Sequence, residues 1–340
     1  VVHHAGPHYI LLFFLSTRMI PLGLWGVGHL GKIHLKLLKE SPDFKLVGFY
    51  DADPSVAEEV SAETGVPAFP SSEALMNEVE AADVVIPTLQ HFELAKELLR
   101  QSKHVFIEKP LATTSEEADK LVELRHEAGV IGQVGHVERF NPAFLAAQEL
   151  ALKPMFLEVH RLALWNPRGT DVSVVSDLMI HDIDLVLTLV DSGIKRIAAS
   201  GVAVITDTPD IANARIEFHN GAVANLTASR ISAKNMRKMR LFQPSAYVSI
   251  DFLEKQVEVM EILDEVKDHQ PSLPIEAKGK TRYLTPRQME VQPVNAIMEE
   301  LAQFAAAIRG EQDSAVSFHD AYRALETAEQ IASKIKPLAV

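Results

Sequence analysis

Ile20-Pro21-Leu22-Gly23-Leu24-Trp25 runs straight into Gly26-Val27-Gly28-His29-Leu30-Gly31, and from Gly31 to Lys39 apolar residues recur at helical spacing. A short run that is apolar nearly throughout reads as a strand covered on both faces, and the spaced glycines read as the turn that carries it into a helix. Each glycine has its own steric reason. Gly26 allows a tight turn, Gly28 lets backbone N–H groups approach an anion closely, and Gly31 lets the helix pack against the strand. The helix N-terminus adds unpaired N–H donors and the positive end of the backbone dipole, so the anion this turn suits is a pyrophosphate. A glycine-rich turn with no ligand would carry the same residues; the next strand separates the two readings.

That strand, Lys45–Tyr50, ends at Asp51. A carboxylate there accepts hydrogen bonds from the adenosine ribose hydroxyls and repels a 2′-phosphate, and the following Ala52-Asp53 brings no arginine to receive one. The charge logic selects NAD over NADP, with capping of the turn before Pro54 as the structural alternative. Further strands are expected at Asp83–Pro87, His104–Ile107 and Ile131–Gly135, alternating with helices at Ser55–Thr64, Ser72–Val79, His91–Arg100 and Ser115–Ala128. Apolar strands separated by helices of this length imply right-handed βαβ units and a parallel sheet covered on both sides. The first domain, residues 19–141, is therefore expected to be a doubly wound Rossmann α/β domain.

After Asn141-Pro142 the pattern changes. A helix at Ala143–Leu150 and a strand at Phe156–Leu162 precede a loop through Asn166-Pro167-Arg168-Gly169 and an apolar helix, Asp177–Val190. Strand-like runs follow without helices between them: Lys195–Val204, Ala212–Phe218, Ala222–Ser229, Met236–Phe242, Tyr247–Phe252 and Gln256–Ile262. Asn220-Gly221 predicts a two-residue hairpin turn with positive φ at both positions. The proline-bearing stretch Asp264–Pro293 reads as a loop excursion, and helices at Val294–Ile308 and Ser317–Ile335 close the chain. The second domain, residues 142–340, is expected to be α+β with a mostly antiparallel open sheet.

Among 340 residues, 46 are acidic and 33 basic, a formal net charge of −13, which argues against a nucleic-acid partner because phosphate binding rests on a Lys/Arg footprint. The absence of cysteine removes disulfides, thiolate metal sites and a cysteine nucleophile. In the first eighteen residues the apolar run Tyr9–Leu15 is too short to cross a bilayer, and no basic residue precedes it. Residues 1–18 are read as a non-native extension before Met19, with a degenerate export signal as the alternative; no membrane partner is expected, and a cytoplasmic location is.

Two further groups carry chemistry. Glu108-Lys109-Pro110 closes a strand, and ligands of open α/β sheets sit outside the carboxyl ends of strands, which puts Lys109 at the cleft mouth; a surface lysine would read alike. Asp177 and His181, four residues apart on a helix, share a face. An imidazole there can take an alcohol proton while the carboxylate orients it. A buried structural histidine is the bland alternative, and a metal site with Asp182 and Asp184 is disfavoured because those positions do not converge on one face. No metal is expected.

The glycine turn with Asp51, then Glu108-Lys109-Pro110-Leu111-Ala112, then Asp177-x-x-x-His181-Asp182-Ile183-Asp184 resemble, in that order, the glucose–fructose oxidoreductase / inositol dehydrogenase / rhizopine catabolism (Gfo/Idh/MocA) family over roughly Met19 to Ile335. The resemblance implies hydride transfer between a sugar-like hydroxyl and NAD(P), and a second domain whose open sheet joins subunits into a homodimer or homotetramer. It assigns catalysis to Lys109, Asp177 and His181, with cofactor contacts from Gly26, Gly28, His29, Leu30, Gly31, Asp51, Thr88, His91 and Glu108. The segments His136-Val137-Glu138-Arg139-Phe140-Asn141-Pro142 and Trp165-Asn166-Pro167-Arg168 resemble the subgroup of UDP-N-acetylglucosamine 3-dehydrogenases, with Arg161, Asn166 and Arg168 as further substrate contacts. Ser229-Arg230-Ile231-Ser232 departs from that subgroup, where a tryptophan-containing segment is common, and this leaves the sugar open. A free polyol is the alternative substrate, and a nucleotide-sensing regulator the alternative class; retention of Lys109, Asp177 and His181 together favours an enzyme.

Overall fold

The computed structural model describes residues 18–167, 172–266, 269–277 and 279–336. The N-terminal extension apart from Arg18, and Arg168, lie outside the described residues. The chain forms two compact units, one running up to His136 and taking back Ile297–Tyr322, the other formed by Val137–Ala296 and the residues from Arg323 onward. The sequence pattern places the boundary after Asn141 and gives the first domain nothing from the closing helices.

In the first unit β1 (Ile20–Trp25), β2 (Phe44–Tyr50), β3 (Ala81–Val84), β4 (His104–Glu108) and β5 (Gly132–Gly135) form a parallel sheet in the order β2-β1-β3-β4-β5. The chain reverses direction across the sheet between β1 and β3, and the carboxyl ends of those two strands form the crevice that doubly wound sheets use for ligands. The connecting helices are α1 (His29–Glu40), α2 (Pro54–Thr64), α3 (Ser72–Met76), α4 (His91–Arg100) and α5 (Ser115–Ala128). Leu22, Leu24, Leu35, Leu38, Phe44 and Phe106 make a core that is completed by Leu301 and Phe304. The Phe304 ring centroid lies 6.0 Å from Phe44 and 5.9 Å from Phe106. A helix far along the chain thus belongs to the first unit because its aromatic residue fills that core.

The second unit carries α6 (Pro142–Gln148), β6 (Phe156–Leu162), a π-helical turn at Val175–Met179 and α7 (Ile180–Leu189). Its nine-stranded sheet also takes β7 (Ile194–Val202), β8 (Ile211–Phe218), β9 (Val223–Ser229), β10 (Met236–Gln243), β11 (Ala246–Asp251), β12 (Gln256–Leu263), β13 (Leu273–Ala277) and β14 (Lys280–Gln288), in the order β13-β14-β12-β11-β10-β6-β9-β8-β7. Only β6 and β9 pair in parallel. Leu157, Val159, Leu226, Leu241, Val248 and Ile250 are buried on one face, as the two-residue period of a half-covered sheet requires. The chain closes with α8 (Ala296–Ile308) and α9 (Phe318–Lys334), within which the division of the units falls. No helix among the described residues is long and apolar enough to cross a membrane.

Two expectations are corrected. Asp264–Pro293 contains the hairpin β13–β14 rather than a loop. Its prolines sit where a strand tolerates them: Pro274 is on the edge strand β13, and Pro286 lies beyond the end of β13, so only β12 flanks it. The turn at Asn220-Gly221 is a three-residue loop in which Gly221 alone has positive φ, +88°. Phe218 closes it by accepting from the Gly221 N–H and donating to the Ala222 carbonyl, a type I turn followed by a glycine bulge.

Candidate active site

In the first unit the glycine turn fits a bound dinucleotide in steric detail. Gly26 has φ +89°, and a Cβ there would fall 2.4 Å from the Val85 carbonyl oxygen; a Cβ on Gly31 would fall 2.1 Å from the Gly26 oxygen. At Gly28 the same addition meets nothing within 4 Å, because that position opens onto a cavity of about 1070 Å³. Gly26, Gly28, His29, Leu30, Gly31 and Asp51 all line it. Asp51 does not cap α2: that is Asp53, whose carboxylate accepts from Ser55 and Val56. Instead Asp51 Oδ2 accepts from the Val27 N–H at 2.9 Å and Oδ1 from the Asp53 N–H at 2.9 Å. The carboxylate is thereby tied to the glycine turn, each oxygen keeping a lone pair for a ribose hydroxyl. Lys96 and Arg100 also line the cavity, beside Glu93 and Glu97. They stand on α4, far along the chain from Asp51, where no local pattern links them to it.

Lys109 follows the end of β4 and is joined to Pro110 by a cis peptide. Its backbone N–H donates to Glu108 Oε2 at 3.2 Å. His91, expected to touch the cofactor, does not reach the cavity: it is 1% exposed, with Nδ1 2.8 Å from the Pro110 carbonyl oxygen and Nε2 2.9 Å from that of Ile86. It ties the loop after β3 to the loop after β4. Thr88 opens the short 3₁₀ turn Thr88–Gln90, whose neighbours Pro87, Leu89 and Gln90 line the cavity.

In the second unit Asp177 lies within the π-helical turn and His181 in the first turn of α7, rather than on one continuous α-helix from Asp177. The Ile180 N–H reaches back to the Val175 carbonyl, the wider spacing that marks such turns and that recurs at functional sites. Asp182 and Asp184, on the same helix, are structural. Asp182 receives Arg161 in two bonds of 2.9 and 2.8 Å, and Asp184 receives Arg139 at 2.8 and 2.6 Å. Glu138 accepts from Arg161 at 2.9 Å and faces Arg237 at 3.4 Å. Arg161 is 4% exposed and committed to these carboxylates, so it is removed from the expected substrate contacts: it anchors α7 to β6. The His136–Pro142 segment supplies this clamp, with Asn141 capping α6 and donating to the Phe252 carbonyl at 3.0 Å.

A second cavity, about 410 Å³, opens beside Asp177 and is lined by Trp165, Asn166, Arg230 and Asn235. Asp177 and Asn166, both expected, come together here. Trp165, Arg230 and Asn235 are not among the contacts expected from sequence; they come from the β6 and β9 ends and the β9–β10 connection, and nothing local in the chain relates them.

Comparison with known proteins agrees with the geometry. Residues 20–136 match the model of the oxidoreductase family with an NAD-binding Rossmann fold, and residues 120–248 match the GFO/IDH/MocA C-terminal domain. The chain is 40% identical over 238 residues to UDP-N-acetylglucosamine 3-dehydrogenase of Acidithiobacillus ferrooxidans, covering 70% of this chain and 75% of that protein. It is 31% identical over 229 residues to scyllo-inositol 2-dehydrogenase (NAD(+)) of Bacillus subtilis, covering 61% and 66%. A solved structure of the Acidithiobacillus ferrooxidans enzyme superposes with a TM-score of 0.84 at 33% identity, over 94% of this chain and 98% of that one. With a glycine turn and carboxylate fitted to NAD and both family domains matched in order, the chain belongs to the Gfo/Idh/MocA family of oxidoreductases and is an NAD-binding dehydrogenase acting on CH–OH groups.

Proposed function

We propose that the substrate is a UDP-linked amino sugar, UDP-N-acetylglucosamine, oxidised at its 3′-hydroxyl to the ketone. The observation that carries this reading is the cavity that sets Asp177 beside Trp165, Asn166 and Arg230: an aromatic face for a sugar ring, an amide, and an arginine for an anionic group. The 40% identity to a UDP-N-acetylglucosamine 3-dehydrogenase supports it.

Bound NAD supplies a hydride acceptor. The chain's part is proton handling and positioning. His181 takes the hydroxyl proton, Asp177 orients it, and Lys109 carries positive charge to the developing alkoxide. Gly26, Gly28, Gly31 and Asp51 hold the dinucleotide. The proposal extends to subunits: alternate residues on the uncovered face of the nine-stranded sheet form the contact of a homodimer or homotetramer. NAD and nucleotide sugars are made inside cells, and a cytoplasmic location follows from that chemistry.

The test incubates purified protein and NAD with UDP-sugars and with free polyols, reading NADH absorbance and product mass. UDP-N-acetylglucosamine should lose two hydrogens. Oxidation of a free polyol with the UDP-sugar unchanged would overturn the substrate and leave the family standing.

A further inference from the structure

Beneath the carboxyl ends of β3 and β4, four ionisable side chains from four elements meet, three of them fully buried and the fourth, Glu108, 13% exposed. His34 of α1 is 0% exposed; its Nδ1 lies 2.9 Å from Asp83 Oδ2 on β3 and its Nε2 3.3 Å from Glu108 Oε1 on β4. Glu300 of α8 is also 0% exposed, and among the described residues neither of its carboxyl oxygens finds a hydrogen-bond donor. One of them lies with a His34 ring nitrogen and a Glu108 oxygen so that all three atoms are within 4.8 Å of one another. The surroundings are shaped to this group. A Cβ on Gly135 would fall 2.7 Å from Glu108 Oε1, and Gln133 Nε2 donates to the Glu300 carbonyl at 2.7 Å, fixing that turn of α8.

Three carboxyl groups around one imidazole cannot all be ionised where three of the four side chains are fully buried, because each unpaired buried charge is strongly penalised. Burial, and after it the negative charge of Glu108, pushes the Glu300 carboxyl well above the usual carboxylate range, against the pull of His34. Burial alone would lower the His34 imidazole, but Asp83 and Glu108 outweigh it and push it up to about 11. His91 of α4 also bears on Glu108, and its ring nitrogens both face backbone carbonyls. The arrangement that fits is two carboxylates about one imidazolium and one neutral carboxyl group, with the single excess negative charge on the partly exposed Glu108.

We propose that Glu300 is a positioning residue for the NAD site: its carboxyl O–H donates to Glu108, and with His34 on the other side it holds α1, the helix that opens from the glycine turn, against the ends of β3 and β4. A metal ion in the same place is disfavoured because both ring nitrogens of His34 already face carboxylate oxygens, at 2.9 and 3.3 Å. The proposal concerns NAD binding alone and stands or falls apart from the sugar assignment.

The first measurement needs no variant. The infrared spectrum of the folded enzyme at neutral pH should contain the carbonyl stretch of a buried protonated carboxyl group, shifted by labelling glutamate with ¹³C. Its absence would overturn the proposal. Glu300→Gln should abolish that band yet bind NAD nearly as the wild type does, since an amide still donates to Glu108. Glu300→Leu cannot donate and should weaken NAD binding about tenfold, the scale of a lost hydrogen bond to a charged group.

A structural role alone predicts no pH signature, whereas a stored proton does. The stability that neutral Glu300 contributes is complete below the ordinary carboxyl range and is lost as pH rises through its raised value; a glutamine does not titrate. The melting temperature of Glu300→Gln should therefore gain on that of the wild type as pH is raised. A gap that stays constant with pH, equal NAD affinity in the Gln and Leu variants, or a stoichiometric divalent metal retained on dialysis by the wild type would each overturn the proposal.

Discussion

Asp51 holds each carboxylate oxygen against a backbone N–H, one from the glycine turn and one from its own loop, so its charge is fixed in place beside the cavity. A 2′-phosphate brought to that spot would meet a carboxylate that cannot turn away. Asp51→Ala should therefore narrow the preference for NAD over NADP, read as two affinities by calorimetry; equal affinities in the unmodified protein would refute the assignment. In the proposed mechanism Lys109 and His181 act on the reacting hydroxyl, not on the dinucleotide. Lys109→Ala and His181→Ala should each lower kcat by about 10²–10⁴-fold, the usual contribution of a positioned acid or base, while NAD affinity measured by calorimetry stays near that of the wild type. What makes the glycine turn and Asp51 legible in sequence is that their partners are local: the glycines act on their own turn, and Asp51 stands at the end of the next strand. Arg161 is illegible for the opposite reason. Its carboxylates, Asp182 and Glu138, lie 21 and 23 residues away, and no pattern in the chain distinguishes a clamped arginine from one awaiting a diphosphate. His91 is illegible likewise, its carbonyl partners coming from two separate loops.

At the scale of the element, α7 is held to β6 by a buried arginine–carboxylate pair and to the 3₁₀ turn Val137–Phe140 by a partly buried one, their carboxylates, Asp182 and Asp184, following His181 closely in sequence. Removing the shared partner leaves Asp182 and Glu138 buried and uncompensated, so Arg161→Met should destabilise the protein by about 3–5 kcal/mol, whereas adding Asp182→Leu and Glu138→Gln should recover most of it. Thermal melting of the single and triple variants decides the point. The connection between β7 and β8 has its own knot. Asp210 is 0% exposed and accepts from the N–H groups of Val204, Ile205 and Thr206 at 2.8, 2.6 and 3.1 Å and from the Thr206 hydroxyl at 2.8 Å. Burial works against it, but these bonds win and hold its carboxyl down at about 2, from 3.8. The stability this supplies, on the order of 2 kcal/mol, is present above the unfolded value and is lost as pH falls through the folded one. Asp210→Asn should melt lower than the wild type at neutral pH, with the gap closing between about pH 4 and pH 2. Elements are legible wherever apolar periodicity decides them. The hairpin β13–β14 is not, because its prolines count as breakers until the neighbouring strands are known.

For the whole molecule the uncovered face of the nine-stranded sheet makes a prediction that no single residue contains. Phe156 and Phe242 are directly opposite across β6 and β10, and Phe242 is opposite Tyr247 across β10 and β11. Their ring centroids are 6.0 and 5.2 Å apart, yet Phe242 remains 43% exposed. Around them alternate charged residues that pair across strands, Arg240 beside Glu158 and Lys238 bound to Asp251. An aromatic centre within a polar, self-paired rim is the composition of a subunit interface, and a two-fold contact would set the same patch against itself. Sedimentation equilibrium should therefore find a dimer or tetramer. Phe242→Asp would bring two like charges together at the centre of such a contact and should lower the assembly state, while the cofactor cavity, built entirely within the other unit, should still bind NAD. If the wild type sediments as a monomer, or if Phe242→Asp leaves the oligomer intact, this face is not where subunits meet.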